Sequence, residues 1–204
     1  MSTSTPAPPA LFDLHADGTP PADPLELARQ WLPADSDPDR PRVTLATTGT
    51  DGCPDARTVL LSAFDETGFA FHTAAGSRKV AELAAVPKAA LVVLWPGTTH
   101  QLVVRGDVVP DEAGPAATAW AARTDYLRRL AWLNTDELAA LPQEERHARW
   151  AAFAAADPGP APSWVGYRLR PAELTFWAGS PETASRRLQY LRDGDGWTTR
   201  WLAG

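Results

Sequence analysis

Residues 73–79, Thr-Ala-Ala-Gly-Ser-Arg-Lys, place two hydroxyls and two cations around a small-residue loop. A β-rich run ends at Thr73 and a helical period begins after Ser77, so the loop reads as a strand-to-helix junction. Unpaired backbone N–H groups, the helix dipole and the side chains of Ser77, Arg78 and Lys79 form there an anion site of phosphate size. The same residues also fit a plain surface helix, capped by Ser77 and carrying two solvated charges. Arg57 offers a further cation: it opens a run whose next residues, Thr58, Val59, Leu60 and Leu61, are apolar or β-branched, and a strand there can direct the guanidinium toward the same pocket. Lys79 and Lys88 are the only lysines among 19 basic residues, so almost every other cationic contact is a planar, permanently charged guanidinium.

Other chemistry finds less support. His15, His72, His100 and His147 share no i, i+4 or His-x-His spacing, which argues against a metal site, and none is expected. Ser62, Ser77 and Ser185 lie in no nucleophile elbow, and no Ser/His/Asp order points to a hydrolase. Cys53, the only cysteine, follows Asp51-Gly52 in a turn; it excludes an intramolecular disulfide and a Cys-rich zinc module. The nine tryptophans read as core or interface anchors.

The elements that must hold these residues are mostly short β-rich runs: 43–48, 57–64, 69–73, 90–95 and 101–109, then 164–169, 173–177, 186–191 and 197–202. Turn chemistry at 51–52, 65–68, 96–97 and 193–196 implies antiparallel pairing. A helix with Val80, Ala81, Leu83 and Ala84 on one side follows Ser77 and stops at Pro87. Another starts after Asp23-Pro24, and a Pro/Asp-rich linker, 33–41, ends it. Residues 112–156 read as helical and 158–162 as a loop. Strands that cluster instead of alternating with helices predict a mainly β fold with α insertions, an antiparallel barrel.

The 204 residues suit one domain, residues 23–204, preceded by a mobile Ser/Thr/Pro/Ala-rich arm, 1–22. A formal charge of −6 excludes a generic nucleic-acid or anionic-membrane binder, so neither partner is expected. No apolar run reaches the roughly 20 residues of a membrane span, and residues 1–10 lack the basic and apolar regions of a secretory signal, so the expected location is the cytoplasm.

Several motifs in order resemble the pyridoxamine 5′-phosphate oxidase family. They are Ala56-Arg57-Thr58-Val59-Leu60-Leu61, Gly68-Phe69-Ala70-Phe71-His72-Thr73, Gly76-Ser77-Arg78-Lys79, Leu94-Trp95, Gln101, Trp164-Val165-Gly166-Tyr167-Arg168, Glu173-Leu174-Thr175-Phe176-Trp177, Arg187 and Trp197. The resemblance runs from about Asp23 to the end and implies a split β-barrel homodimer with FMN at the subunit interface. It also implies that Arg57, Thr58, Val59, Leu60, His72, Thr73, Arg78, Lys79 and Gln101 contact FMN, with His72 where a tyrosine is usual. Trp177 and Arg187 would contact the flavin of the partner subunit. Ser77 joins them through the local reading of the helix start.

The substrate half departs from that pattern. The family's lysine after the Arg-x-Val-Leu-Leu strand is Ser62 here, and its phosphate-binding tyrosine, arginine and serine fall on Ala119, Arg123 and Leu127. Its Arg-Leu-His motif maps to Thr183-Ala184-Ser185, and a Gln-Ser pair near the flavin to Asp136-Glu137. Each lost charged hydrogen bond costs roughly 1.5 to 3 kcal/mol of binding. A serine in place of that lysine is shared with flavin oxidases of phenazine biosynthesis, which usually keep the Arg-Leu-His motif. The resemblance therefore implies an FMN-dependent oxidase or oxidoreductase acting on a small organic substrate other than pyridoxine phosphate, with Ser62, Arg123, Thr183 and Ser185 lining its site and no general base named. The alternatives are an authentic vitamin B6 oxidase and a flavin-binding protein without turnover.

Overall fold

The computed structural model describes residues 12–32, 42–95, 99–111, 116–153 and 159–204. Among these, eight strands form one antiparallel sheet: β1 (Arg42–Thr48), β2 (Pro54–Asp65), β3 (Gly68–Ala74), β4 (Lys88–Trp95), β5 (His100–Pro110), β6 (Trp164–Ala178), β7 (Arg186–Asp193) and β8 (Gly196–Ala203). Their order is β3-β2-β1-β4-β5-β6-β7-β8, and β3 also pairs with β6, so the first six strands close into a barrel. This is the expected antiparallel barrel with α insertions.

The seam of that barrel explains the two further strands. One edge of β6 pairs with β5; the other is shared, with 164–169 bonded to β3 and 173–178 bonded to β7. The handover falls at Pro171, which has no N–H to give a ladder, and opposite a register shift between Arg105 and Gly106 on β5. The sequence pattern predicts two strands here, 164–169 and 173–177. The structure carries one strand through the proline, because a bulge lets the backbone bend without ending.

Alternation along the strands fills the barrel. On β4, Ala89, Leu91 and Val93 are buried, and they join Leu45, Phe69, Phe71, Leu102, Leu169, Leu174, Phe176 and Leu188 in one core. Each of the Val, Leu and Phe side chains contributes roughly 1.5–3 kcal/mol by leaving water. The tight β2–β3 connection uses Gly68 at φ +126°, where a Cβ would stand 2.2 Å from the Leu169 carbonyl oxygen.

Helix α1 (Pro24–Trp31) begins as the sequence predicts: the Asp23 carboxylate accepts the Leu25 N–H at 2.9 Å, and Pro24 fills the first turn. It buries Leu25, Leu27 and Ala28 and sets Trp31 edge-on against Trp95 and Phe176. Of the expected mobile arm, residues 12–22 are packed on the barrel instead. Leu14 is buried in the core, His15 Nε2 lies 3.1 Å from the Ala178 carbonyl oxygen, and Tyr190 Oη donates to the Pro21 carbonyl at 2.9 Å. Residues 1–11, the 33–41 linker, the 96–97 turn and residues 112–115 and 154–158 lie outside the described residues.

Helix α2 (Arg78–Ala85) follows the loop after β3, but it buries Glu82 and Leu83 and leaves Ala81 and Ala84 exposed. The helical stretch expected over 112–156 is four short helices, α3 (Ala116–Ala121), α4 (Asp125–Leu133), α5 (Asp136–Ala139) and α6 (Gln143–Phe153). Thr124 and Thr135 break it by accepting the N–H groups of Leu127 and Leu138 as caps of α4 and α5. No residue of α4, α5 or α6 is fully buried, and Tyr126 is 61% exposed. No helix among the described residues is long and apolar enough to cross a membrane.

Candidate functional site

The helix start after β3 gathers the cations as its sequence predicts, but with a different use of Ser77. Its side chain makes no cap bond to α2. It lies 3.1 Å from the Thr73 hydroxyl, and Lys79 Nζ donates to Thr73 Oγ1 at 3.0 Å and to Ser77 Oγ at 3.2 Å. Burial, and then the charge of Arg57, pull the Lys79 pKa below its ordinary value. Among the described residues the half-buried ammonium thus has only neutral hydroxyls as its direct side-chain partners, at a helix terminus whose first N–H groups have no intrahelical acceptor.

Beside it stands a denser network. Arg57 Nη2 donates to Glu82 at 2.6 Å and to Asp55 at 2.7 Å, and Nη1 donates to Thr47 Oγ1. Thr47 in turn donates to Glu82 at 2.6 Å, and Arg78 Nε approaches Glu82 at 2.9 Å and Asp55 at 3.4 Å. Three cations therefore face two carboxylates, a surplus of one positive charge. Desolvation raises the Asp55 pKa, but Arg57 and Arg78 outweigh it and hold the carboxyl below its usual range. Thr58, Val59 and Leu60 continue β2 away from this network, paired with Thr44, Val43 and Arg42.

A second cluster lies on the outer face of β2, β3 and β6, and the helical insertion reaches it through Trp120 and Arg123. The register of β2 on β3 shifts between Leu61 and Ala63, so Ser62 sits at a bulge, and its hydroxyl lies 2.9 Å from His72 Nδ1. The His72 ring stacks on Trp164 at 4.2 Å and 16°. It can lie flat because its strand partner is Gly166, where a Cβ would come within 3.0 Å of Nε2. Burial lowers the His72 pKa to about 4; Asp111 opposes that shift, whereas Arg123 and Arg168 add to it. Arg123 lies over Trp164 at 5.2 Å and Trp120 at 6.0 Å and donates to the Leu127 carbonyl at 2.9 Å. Arg168, buried, pairs with two carboxylates, Asp65 at 2.8 Å and Asp111 at 3.3 Å, a surplus of one negative charge that offsets Arg123.

A third group is a cross-strand row. Leu94, Gln101, Trp177, Arg187 and Leu202 are successive register partners across β4, β5, β6, β7 and β8. Leu94 is 59% exposed and Arg187 is exposed, so this row is a surface. Thr183 and Ser185 lie in the loop between β6 and β7, where Gly204 N–H donates to the Ser185 carbonyl at 3.1 Å. Asp136 and Glu137 open α5. The structure thus joins Arg57, Thr73, Ser77, Arg78 and Lys79, joins Ser62, His72 and Arg123, and sets Gln101, Trp177 and Arg187 in line.

Sequence reasoning missed Glu82, Thr47, Asp55 and Asp111, and it left Trp120 and Trp164 without a role in a site. The signal for Glu82 was present: an acid one turn after Arg78, flanked by Ala81 and Leu83 on a short helix, is at i, i+4 spacing for an ion pair.

A closed six-stranded antiparallel barrel whose seam strand carries two extra strands defines the split-barrel class. The family described as "Pyridoxamine 5′-phosphate oxidase" matches residues 28–178, and "Pyridoxine 5′-phosphate oxidase C-terminal dimerisation region" matches residues 164–204. The chain belongs to the pyridoxamine 5′-phosphate oxidase family. A pyridoxine/pyridoxamine 5′-phosphate oxidase of Thermosynechococcus vestitus is 39% identical over 181 residues, covering 86% of each chain. A dihydrophenazinedicarboxylate synthase of Burkholderia lata is 35% identical over 199 residues, covering 94% of this chain and 92% of its own. Among solved structures, PhzG from Burkholderia lata 383, in complex with tetrahydrophenazine-1-carboxylic acid, superposes with a TM-score of 0.78 at 32% identity over 91% of this chain and 94% of its own.

Proposed function

We propose that this chain is an FMN-dependent oxidoreductase of its family that oxidises a small, partly reduced ring compound and works as a homodimer in the cytoplasm. The observation that carries the reading is the Lys79 ammonium, held by Thr73 and Ser77 at a helix start whose serine has turned away from capping. The donor set fits a phosphate monoester: one ammonium that supplies the surplus positive charge, two hydroxyls that can rotate to donate, the open N–H groups of α2, and the guanidinium groups of Arg57 and Arg78 beside them, themselves balanced by Asp55 and Glu82. FMN held there would supply two-electron redox chemistry, with oxygen as acceptor and hydrogen peroxide as product.

The chain's residues bind and orient. Arg57, Arg78 and Lys79 hold the phosphate, and the β2 segment Thr58-Val59-Leu60, with His72, Thr73 and Gln101, borders the flavin. Trp177 and Arg187 reach the partner's flavin from the exposed row, in keeping with the dimerisation region that covers them. Ser62, Arg123, Thr183 and Ser185 border the substrate. Losing the lysine removes charge that a phosphate ester needs and is shared with the phenazine-type oxidases, whereas the loss of the Arg-Leu-His residues departs from both groups and supports a substrate other than pyridoxine phosphate.

Visible flavin absorption of the purified protein, and titration of the flavin-free protein with FMN, test the shared premise. Arg78→Ala with Lys79→Ala is expected to weaken FMN retention by 100-fold or more, at about 1.5–3 kcal/mol for each charged bond lost. A protein that takes up no FMN, or a double variant with unchanged affinity, refutes the site. Peroxide release on cyclic amines and dihydroaromatic acids separates an oxidase from a carrier. Turnover of pyridoxine phosphate at a rate typical of the family would instead establish the vitamin B6 reading, which the 39% identity to such an oxidase keeps in view.

A further inference from the structure

Arg57 and Arg78, two cations of the candidate phosphate site, meet on a single oxygen. Asp55 Oδ2 accepts from Arg57 Nη2 at 2.7 Å and lies 3.4 Å from Arg78 Nε, so one carboxylate oxygen bridges guanidiniums carried by β2 and by α2. An incoming phosphate oxygen needs that same place. The strand itself brings Asp55 there: it stands two residues before Arg57 on β2, on the same face, and opposite Thr47 of β1.

Glu82 shares the network but not the exposure. Arg57 Nη2 also donates to Glu82 Oε2 at 2.6 Å, so two carboxylates meet on one nitrogen and repel each other. The Glu82 side chain is 1% exposed, bonded to Thr47 and close to Arg78 as well, whereas the Asp55 side chain is 27% exposed at the start of its strand. Of the two, Asp55 is the one that can rotate into water, and an ion pair open to solvent is weak enough to exchange.

Charge decides which arrangement an anion selects. With both carboxylates in place the network has a surplus of one positive charge, and both Arg57 Nη nitrogens are engaged among the described residues, Nη1 by Thr47 and Nη2 by Glu82 and Asp55. A phosphate monoester carries about −1.5 to −2 near pH 7, which that surplus does not match. Releasing Asp55 raises the surplus to two and frees a donor of Arg57 and the side of Arg78 that faces it. Lys79 belongs to the same balance, since its charge feels both Arg57 and Asp55.

We infer that Asp55 is an internal counter-ion that occupies the phosphate place between Arg57 and Arg78 and is displaced into solvent when a phosphate monoester binds, so that this carboxylate holds down the affinity of the site. The inference rests on the reading of the helix start as a phosphate site. A clamp that merely held the guanidiniums in position has the opposite sign, because its loss weakens the anion.

Titration of the flavin-free protein, and of Asp55→Asn and Asp55→Ala, with FMN and with riboflavin, which has no phosphate, tests it; urea melts show that each variant is folded. Both variants are expected to bind FMN about tenfold more tightly, the equivalent of one charge-assisted hydrogen bond that no longer has to be broken, and riboflavin with unchanged affinity. Weaker or unchanged FMN binding in either folded variant overturns the inference and leaves the flavin reading standing. An equal gain for riboflavin overturns it too, since the effect then does not pass through the phosphate. If none of the three proteins takes up FMN, inorganic phosphate is titrated in its place. Tighter phosphate binding in the variants then retains the inference and loses the flavin reading, and unchanged or weaker phosphate binding loses both.

Discussion

Ser77 shows how one side chain is claimed by one of two roles. A serine at a helix start ordinarily accepts an N–H of the first turn and stabilises the helix by about 1 kcal/mol. Here its hydroxyl faces Thr73 and Lys79 instead, so Ser77→Ala is expected to change stability by less than about 0.5 kcal/mol while lowering FMN affinity. Asp23→Ala, which removes a made cap, is expected to cost about 1 kcal/mol and leave FMN binding unaltered. Urea melts and FMN titrations of the two variants check the contrast. His72 carries a pH signature. Its pKa falls from 6.5 to about 4 on folding, so between those values the unfolded chain holds the extra proton. Stability is therefore fully present above pH 6.5 and declines as pH drops toward 4, by about 2 kcal/mol after screening on the open side of the ring. Denaturation midpoints across that range should slope in the native protein and flatten in His72→Asn; equal slopes would refute the buried neutral imidazole.

At the scale of elements, what the sequence made legible was what is local. The strand-to-helix junction at 73–79 sits in one stretch of chain, and its cations converge as their spacing implies. Asp23 and Pro24 likewise start α1 where their chemistry says. The ion pair of Arg57 with Glu82 was not legible, because it joins β2 to α2 through a fold that must already exist. Nor was the course of β6 through Pro171, since a proline ends a strand in isolation and is absorbed by a bulge in a sheet. The Thr caps at 124 and 135 were readable in principle, but the apolar period ran across them and dominated the pattern. The β2–β3 connection gives a direct test of the seam. Gly68→Ala sets a Cβ against the Leu169 carbonyl at a positive φ, and a loss of 2 kcal/mol or more is expected in chemical denaturation.

For the molecule as a whole, the exposed row Leu94, Gln101, Trp177 and Arg187 is where a second copy completes the proposed site. Sedimentation is expected to give twice the mass of the chain. Leu94→Asp is expected to shift it toward one chain and to release FMN in parallel, since a charge buried in an apolar contact is costly. Arg187→Ala should weaken FMN while leaving the mass unchanged. Flavin lost without dissociation in the first variant would place the flavin within a single subunit.

The shared edge of β6 also governs how such a chain is made. Strand β3 leaves the ribosome early, and the segment that seals it, 164–169, emerges after most of the chain, so nascent β3 waits with an unpaired edge and an apolar face. Closure then depends on contacts distant in sequence, which are slow to form. A chain terminated before residue 164 would keep Arg57, Arg78 and Lys79 and still expose two sheet edges to its neighbours. Premature termination would thus send this protein to aggregation or proteolysis instead of leaving a smaller flavin binder.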